Sequence, residues 1–336
     1  MSTETWTASV ALPPGTERQY ASGFSYNDSG FIFGGVNTNF LNDLWMFTVQ
    51  TNQWVKKTPL PSDPRAGAAS FVINDNAYII GGKTAANSSI NEVWAYNISN
   101  NTWSQKNNLS FGSRWRASAT SLNGKGYLIF GKDEIGNFKE ELFEYDPAND
   151  SWNLLSTFPE KGRVNASLKS LGGSLIVLAG IDSLNVSYND MWEFDLALQQ
   201  WQELASIPSS GQRGGMCFNN STTLYYTTGI DQNDTRLKET WKVFNPTSIK
   251  INSKTQAVNV FPNPAKDQIF IEFEIPLQSE LLVEIKNMLG QTINSEKVKM
   301  NTGNKVMVNV SELSDGIYFL HFIDNDTTFT RKFNIK

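Results

Sequence analysis

The amino-acid sequence predicts an all-β protein with two domains. Aromatic and acidic residues recur with a period of 49 residues up to Pro246. Each repeat contains four short segments with the apolar, β-branched and aromatic composition of strands. All ten tryptophans lie before Pro246, and a different series of strand-like segments follows it. We therefore expect domains at 1–246 and 258–336, joined by a polar linker at 247–257.

Several columns of residues recur in register and define the repeat. Two aromatic columns contain Trp54, Trp103, Trp152 and Trp201, and Trp45, Trp94, Phe143, Trp192 and Trp241. An acid stands two residues before each member of the second column, at Asp43, Glu92, Glu141, Asp190 and Glu239. Further upstream is a pair rich in glycine, at Gly34-Gly35, Gly81-Gly82, Gly131-Lys132, Ala179-Gly180 and Thr228-Gly229. An arginine opens each unit, at Arg18, Arg65, Arg116, Arg163 and Arg213.

The unit from Arg65 to Gly112 illustrates how one repeat should fold. Its strand-like segments lie at 69–73, 77–80, 93–96 and 102–105. Polar turn residues separate the first two segments and the last two. Four such strands in about 50 residues are typical of one blade of a β-propeller. Glycine at the end of the second strand suits a place where the chain bends sharply or another backbone approaches closely.

The combination of arginine, a glycine pair, acidic-x-Trp-x-aromatic and Asn/Asp-x-Trp resembles the kelch repeat. The resemblance extends from Trp6 to about Pro246 and implies a kelch-type β-propeller. It departs from the family pattern where Lys132 replaces the second glycine and where Ala179 and Thr228 replace the first.

The number of blades follows from the two ends of the repeat region. The fifth unit has Lys250 where a tryptophan is expected, so its last strand is missing. Trp6, in contrast, lies 48 residues before Trp54 with no unit ahead of it. We therefore predict five blades, the last completed by an N-terminal strand at Thr5–Ala8, because ring closure removes exposed sheet edges.

The region after residue 257 predicts a small Ig-like β-sandwich. Strand-like segments lie at 268–274, 281–285, 305–309, 317–322 and 328–335. The motifs VFPNPAKD at 260–267, IKNMLGQ at 285–291 and LSDGIYFL at 313–320 resemble the type A C-terminal sorting domain of the bacterial type IX secretion system. The motif residues that we assign to the sorting signal are Pro262, Asn263, Pro264, Gly290, Gly316, Tyr318 and Lys332.

This second resemblance implies a location. The family's sorting domain is read by the type IX secretion machinery, and its cargo is secreted or attached to the outer cell surface. Residues 1–16 lack the basic and apolar regions of a signal peptide, although crossing the inner membrane would require one. No apolar run is long enough for a transmembrane helix. We therefore expect export, with the signal peptide absent from this sequence.

Composition excludes several classes of function. The chain has 28 basic and 33 acidic residues, and its net charge of −5 argues against a nucleic-acid partner. The chain has a single cysteine, Cys217, so an intrachain disulfide is excluded. We expect Cys217 to be a small buried residue. With one histidine, His321, a cage of histidine and cysteine ligands is also excluded. We expect no metal site, no cofactor and no assigned catalytic residue.

The candidate ligand-binding residues are six arginines and one tryptophan. They are Arg18, Arg65, Arg114, Trp115, Arg116, Arg163 and Arg213. One arginine per unit, repeated around a ring, could bind an anion such as an acidic sugar or phosphate. The alternative is that each arginine is paired with one of the repeated acids, because a buried charge needs a partner. Trp115 lies outside the tryptophan columns and could stack on a sugar ring or simply pack in its loop.

These observations leave three hypotheses for function. The first is an exported propeller that binds a protein or glycan ligand. The second is a carbohydrate-active enzyme, epimerase-like or lyase-like, that uses arginine and carboxylate groups on the propeller face. Loop acids such as Asp133 and Glu134 are the kind of pair that glycoside hydrolysis would need, although loop acids are usually solvated. The third is a structural component of the cell surface.

Overall fold

A computed structural model divides the chain into two compact units, Met1–Phe244 and Asn245–Lys336. It describes residues 8–220, 223–244, 258–273, 281–287, 291–298, 305–324 and 327–336. The described residues contain strands and no helix, so the predicted all-β class is confirmed. The strand predicted at Thr5–Ala8 lies almost wholly outside the described residues.

The strands of the first unit fall into five successive groups, which we call blades one to five. Blade one contains β1 (Ser22–Tyr26), β2 (Ser29–Val36), β3 (Phe40–Thr48) and β4 (Gln53–Lys57). Blade two contains β5 (Ala69–Ile73), β6 (Asn76–Ile80), β7 (Val93–Asn97) and β8 (Thr102–Lys106). Blade three contains β9 (Ser118–Leu122), β10 (Lys125–Ile129), β11 (Glu141–Asp146) and β12 (Ser151–Thr157). Blade four contains β13 (Ser167–Leu171), β14 (Ser174–Leu178), β15 (Met191–Asp195) and β16 (Gln200–Leu204).

Blade five is the least complete of the five sheets. Its strands are β17 (Gln212–Arg213), β18 (Met216–Asn219), β19 (Thr223–Thr227), β20 (Ile230–Asp231) and β21 (Thr240–Phe244). Strands β18, β19 and β21 form its three-stranded sheet, and β17 pairs with β20. In the first four blades, four consecutive strands form antiparallel neighbours, in the order that the repeat predicts.

The antiparallel order fixes which loops share a face of the propeller. Successive strands run in opposite directions, so the first and third connections of a blade lie at one end. The second connection and the segment that enters the first strand lie at the other end. We call this second end the loop face, and its second connections are 37–39, 81–92, 130–140, 179–190 and 228–239.

Neighbouring blades are held together by apolar cores that lie between the sheets. Phe33 and Leu44 of blade one, for example, form one buried cluster with Ile79 and Tyr96 of blade two. Equivalent clusters join blades two and three, three and four, and four and five. Blades two, three and four each lie between two other blades, so both faces of their sheets are covered. Their second strands are therefore largely buried, and in blade four all five residues of β14 are buried.

Backbone hydrogen bonds also connect each blade to the next. The donor is the second residue of the glycine pair and the acceptor is a carbonyl of the following blade, in the pairs Gly35–Arg65, Gly82–Arg114, Gly131–Arg163 and Gly180–Gln212. In the described part of the chain, no such bond joins Gly229 to Arg18. The five sheets are thus linked in series, and closure of the ring remains a prediction.

The second unit is a sandwich of two antiparallel sheets. In chain order its strands are β22 (Val258–Phe261), β23 (Gln268–Phe273), β24 (Leu281–Lys286), β25 (Thr292–Val298), β26 (Lys305–Asn309), β27 (Gly316–Asp324) and β28 (Thr327–Ile335). One sheet has the order β22-β23-β26 and the other β25-β24-β27-β28. Ile269 and Ile271 of the first sheet and Ile285, Leu320 and Phe333 of the second are among the residues of the buried core between them.

The first described residues contact blade one in the same way as the end of blade one contacts blade two. Trp54 Nε1 donates a hydrogen bond to the carbonyl of Val10 at 3.1 Å, and Trp103 Nε1 donates to Thr58 at 2.9 Å. Thr58 directly follows β4, the fourth strand of blade one. Val10 therefore contacts blade one at the position where Thr58, which follows the fourth strand of blade one, contacts blade two.

We expect deletion of residues 1–8 to destabilise the propeller. Losing a strand with one large aromatic side chain should cost about 2–3 kcal/mol and lower Tm by roughly 5–10 °C. Deletion of residues 1–4, which spares the predicted strand, is the matched control and should leave Tm unchanged. Differential scanning calorimetry measures both variants, and equal Tm values would contradict the five-blade closure.

Candidate functional site

Arg163 shows the interaction that repeats through the propeller. Its side chain is 0% exposed, and Nη1 and Nη2 each lie 2.6 Å from a carboxylate oxygen of Asp190. Trp192 Nε1 donates to the same carboxylate at 2.9 Å, and the guanidinium lies 3.9 Å from the centre of the Tyr188 ring. A charge this deeply buried needs a paired and hydrogen-bonded partner. Arg163 is therefore committed to holding the blade together.

Equivalent pairs occur in the first four blades. They are Arg18–Asp43, Arg65–Glu92, Arg114–Glu141 and Arg163–Asp190. Burial alone would raise the pKa of Asp43 and of Glu92, but hydrogen bonds from the arginine and the tryptophan outweigh it and lower both. For these four arginines the structure favours pairing with the repeated acids over an unpaired anion-binding ring.

The arginine column predicted from the sequence is in the wrong register in two blades. In blade three the buried arginine is Arg114, 49 residues after Arg65, and not Arg116. In blade five the same count from Arg163 reaches Gln212, which is buried, whereas Arg213 pairs with the exposed Asp234. The error arises because Arg116 lies two residues after Arg114 and Arg213 directly follows Gln212, so in both blades an arginine stands close to the register position. Counting in steps of 49 residues from Arg65 reaches positions 114, 163 and 212.

Blade three has the weakest member of this column. Phe143 occupies the tryptophan position there, so no indole N–H reaches Glu141, and the Arg114–Glu141 distance is 3.3 Å. The Phe143 ring instead stacks on Phe111 at 3.5 Å between ring centres. Burial lowers the pKa of Arg114, against the opposing charge of Glu141 and nearby acids.

The glycine pair ends the second strand where the next blade comes close. Gly81 has a φ of +62°, and a Cβ there would lie 2.2 Å from the carbonyl oxygen of Arg114. In blade three the corresponding pair is Phe130-Gly131, not Gly131-Lys132. Lys132 therefore does not replace a glycine. It follows the bend and is free of the backbone constraint that acts on the pair.

This corrected register brings Lys132 next to Trp115. The two residues exchange backbone hydrogen bonds of 2.9 Å in both directions, just before β9 begins. Blade two has the same bridge between Ala66 and Lys83. Trp115 thus has a regular backbone position, and what distinguishes it from Ala66 is its side chain.

Arg116 lies between two aromatic rings at the inner edge of the loop face. Its guanidinium carbon is 4.3 Å from the centre of the Trp115 ring and 4.4 Å from that of Tyr20. Backbone hydrogen bonds from Arg116 to Gly67 and from Gly67 to Tyr20 cross from blade three to blade one at this point. We call the set of Tyr20, Lys83, Trp115, Arg116 and Lys132 the cationic mouth. Of the predicted ligand-binding residues, the structure brings Trp115 and Arg116 together here.

Sequence reasoning missed the other three residues of the cationic mouth. Lys83 Nζ lies 5.3 Å from the centre of the Trp115 ring, and Lys132 Nζ lies 4.3 Å from that of Phe138. Tyr20 is about half exposed and covers Arg116. The signal that could have found the two lysines is their position directly after the glycine pair of adjacent blades.

The loop acids considered for glycoside hydrolysis are engaged in local structure. Asp133 Oδ1 accepts hydrogen bonds from the backbone N–H groups of Ile135 and Asn137, and Oδ2 lies 2.8 Å from Lys139 Nζ. Burial would raise the pKa of Asp133, but these partners outweigh it and lower the pKa to about 2. A hydrogen bond from Ser113 lowers the pKa of Glu134. Neither carboxyl has the raised pKa that suits a general acid.

Other potentially reactive groups also have structural surroundings. Cys217 lies buried in β18, and burial raises the pKa of its thiol to about 12, so it is not a nucleophile. His321 lies in β27 of the second unit. Within the described residues, no three His, Cys, Asp or Glu side chains cluster in a way that could hold a metal ion. The described part of the chain also contains no helix long and apolar enough to span a membrane.

Among the predicted sorting-signal residues, Asn263 connects the end of the first strand of the second unit to its last strand. Asn263 Oδ1 accepts the backbone N–H of Asn334 at 2.9 Å, between the exposed Pro262 and Pro264. Gly316 begins β27, in which the hydroxyl of Tyr318 donates to the carbonyl of Ser314 at 3.0 Å. Lys332 lies in β28, and Gly290 falls outside the described residues.

Comparison with known proteins gives two family matches and a set of partial relatives. Residues 1–180 match the KLHDC2/KLHL20/DRC7 Kelch-repeats domain, and residues 259–336 match the secretion system C-terminal sorting domain. N-acetylneuraminate epimerase of Shigella sonnei (strain Ss046) is 36% identical over 83 residues, which are 23% of this chain and 22% of that protein. The protein of the same name from Escherichia coli (strain K12) is 35% identical over 83 residues, which are again 23% of this chain and 22% of that protein. The match therefore spans less than a quarter of either relative.

Replacing Asp190 by asparagine should strongly destabilise the propeller. The substitution leaves the buried Arg163 charge without its anion, which typically costs about 3–5 kcal/mol. The matched control is Asp234→Asn, which removes an exposed partner of Arg213 and should cost under about 1 kcal/mol. Urea unfolding followed by tryptophan fluorescence measures both, and similar losses in the two variants would contradict the structural role of the buried pair.

The lowered pKa of Asp133 predicts a specific acid dependence of stability. Its folded-state pKa of about 2 lies below the ordinary value of 3.8, so it stabilises the fold above that value. This contribution should disappear as the pH falls from about 4 to about 2. Denaturation midpoints of the protein and of Asp133→Asn should therefore differ near neutral pH and converge over this range. A difference that is independent of pH would show that the loop does not depend on the ionised carboxylate.

Proposed function

Since the kelch model matches more than half of its length, the chain belongs to the kelch-repeat family, and we propose that its propeller is a ligand-binding module. The sorting domain at 259–336 supplies the export signal that the secretion machinery reads. The protein is thus an exported propeller. In our proposal it acts after secretion or on the outer cell surface, where it binds a protein or glycan through the loop face.

The cationic mouth is the observation that carries this proposal. The repeated arginines of the first four blades are each paired with a repeated carboxylate, as Arg163 is with Asp190. Arg116, in contrast, lies between Tyr20 and Trp115 and forms no ion pair with any described residue. An organised polar group among aromatic rings in an accessible position is typical of a recognition site.

The loop face also has exposed apolar tips that suit a binding surface. Ile135 is 79% exposed and Leu184 is 67% exposed, and they occupy equivalent loops of blades three and four. Each tip is held by an acid that accepts backbone N–H groups, Asp133 in one loop and Asp182 in the other. Rigid loops with exposed apolar residues lose little entropy on binding.

A carbohydrate-active enzyme is the second candidate, and the similarity to proteins named N-acetylneuraminate epimerase favours it. Against it stand the loop acids, because Asp133 and Asp182 are fixed by hydrogen bonds that lower their pKa. Only a short segment of the relatives aligns, so their activity transfers as a hypothesis alone. A purely structural surface component would need no accessible cationic mouth.

The binding proposal is tested with the full chain on two arrays, one of glycans and one of bacterial surface proteins. We expect a ligand whose affinity falls at least about tenfold in the double variant Ile135→Asp/Leu184→Asp, since charge replaces apolar contact. Val49→Asp changes an exposed valine at the opposite end of blade one and should have no effect. Equal loss in both variants, or the absence of any ligand, would contradict the proposal. Turnover of a bound sugar would instead favour the enzyme.

A further inference from the structure

Three cations meet in the cationic mouth without a carboxylate partner. Lys83 and Arg116 both lie over the Trp115 ring, at 5.3 Å and 4.3 Å from its centre. Lys132 is bridged to Trp115 through the backbone. None of the three cations forms an ion pair with a residue that the structure describes. The arrangement differs from that of the buried arginine column, in which every member is neutralised.

The nearest acids in the sequence do not compensate this charge. Asp133 follows Lys132 directly, but its carboxylate is bound by Lys139 and by backbone N–H groups of its own loop. Burial and the positive charge of Arg116 both lower the pKa of Lys132. Like charges held together are unfavourable, and they persist here in a protein whose net charge is −5. An anion bound among them would relieve the repulsion.

Arg116 is already organised to receive such an anion. Trp115 and Tyr20 lie over its guanidinium, so the edge of this planar group is left for hydrogen bonds. Its Nε is buried and has no hydrogen-bond partner among the described residues. The fork of an arginine matches the two oxygens of a carboxylate, and two lysines nearby add point charges.

The backbone of blade two makes room for this arrangement. A Cβ on Gly67 would lie 2.6 Å from Trp115 Nε1, so a glycine is needed for the indole to lie over blade two. Trp115 contacts both Lys83 and Arg116 through its ring, and we assign it a positioning role. The half-exposed ring of Tyr20 is better placed to present an apolar surface to a ligand.

We infer that the cationic mouth binds an acidic sugar, a uronate or sialate residue of a glycan, through its carboxylate. Arg116 receives the two oxygens, Lys83 and Lys132 supply charge, and Tyr20 packs against the apolar side of the sugar ring. One compact group of cations beside one aromatic ring fits a single acidic ring better than an extended acidic peptide. This inference rests on the proposed binding function and specifies its ligand.

The test uses the full chain on an array that pairs each uronate- or sialate-bearing glycan with its neutral counterpart. We expect binding to the acidic member only, weaker at high salt concentration. Arg116→Gln should lower the affinity at least about tenfold, and Arg116→Lys should lower it less because the charge is kept. Lys238→Gln removes an exposed lysine of blade five and should leave the affinity unchanged. Thermal melts confirm that each variant is folded.

Five outcomes would overturn the inference. Equal binding of neutral and acidic glycans, or unchanged affinity in Arg116→Gln, would exclude carboxylate recognition while the binding function stands. Binding of poly-glutamate that is tighter than that of every acidic glycan and lost in Arg116→Gln would assign the mouth to acidic peptides. Binding of a protein but of no glycan would contradict the acidic-sugar ligand only, whereas the absence of any ligand would also remove the proposed function.

Discussion

The buried pair between an arginine and a carboxylate is the interaction on which the propeller depends. In Arg163 and Asp190 it joins the entrance of a blade to its third strand, and Trp192 adds a third hydrogen bond. The arginine carbonyl in the same column accepts a hydrogen bond from the preceding blade. In blades two to four, one arginine thus fixes the blade internally and connects it to the preceding blade. Removing one partner is costly because the other charge cannot be rehydrated without opening the core.

The same constraint explains where the repeat can vary. Positions inside the column tolerate little change, and blade three shows the effect of a loss: without an indole donor at Phe143, the Arg114–Glu141 distance increases to 3.3 Å. The positions that directly follow the buried arginine have a backbone held by hydrogen bonds, while their side chains lie outside the buried ion pair. Trp115 and Arg116 occupy two such positions in the same blade. A ligand site can therefore be built there without altering the core.

The fold could be predicted largely from the sequence, because each blade repeats the same physical requirements at a constant spacing. Tryptophans, acids and turn glycines are visible as columns, and the first four units form four-stranded blades at those places. The candidate site could be predicted only in part. The sequence indicates Trp115 because it lies outside the tryptophan columns and Arg116 because it was assigned to the arginine column, whereas Tyr20, Lys83 and Lys132 are not indicated as ligand-binding residues. Arg114 and Arg116, two residues apart, leave the register of blade three ambiguous, and no single sequence shows which lysines of separate blades come together.

The charged residues of the propeller divide into those paired within the repeat columns and those outside the columns. Because the repeated acids neutralise the repeated arginines, the pairs contribute almost no net field at the surface. The field at the loop face is then set by the charges outside the columns, and in the cationic mouth these are positive although the whole chain is negative. Attraction of an anion is strongest where low-dielectric walls and fixed charges coincide. A locally positive mouth in an acidic exported protein therefore favours small acidic groups, and the net negative charge of the chain opposes the close approach of large polyanions.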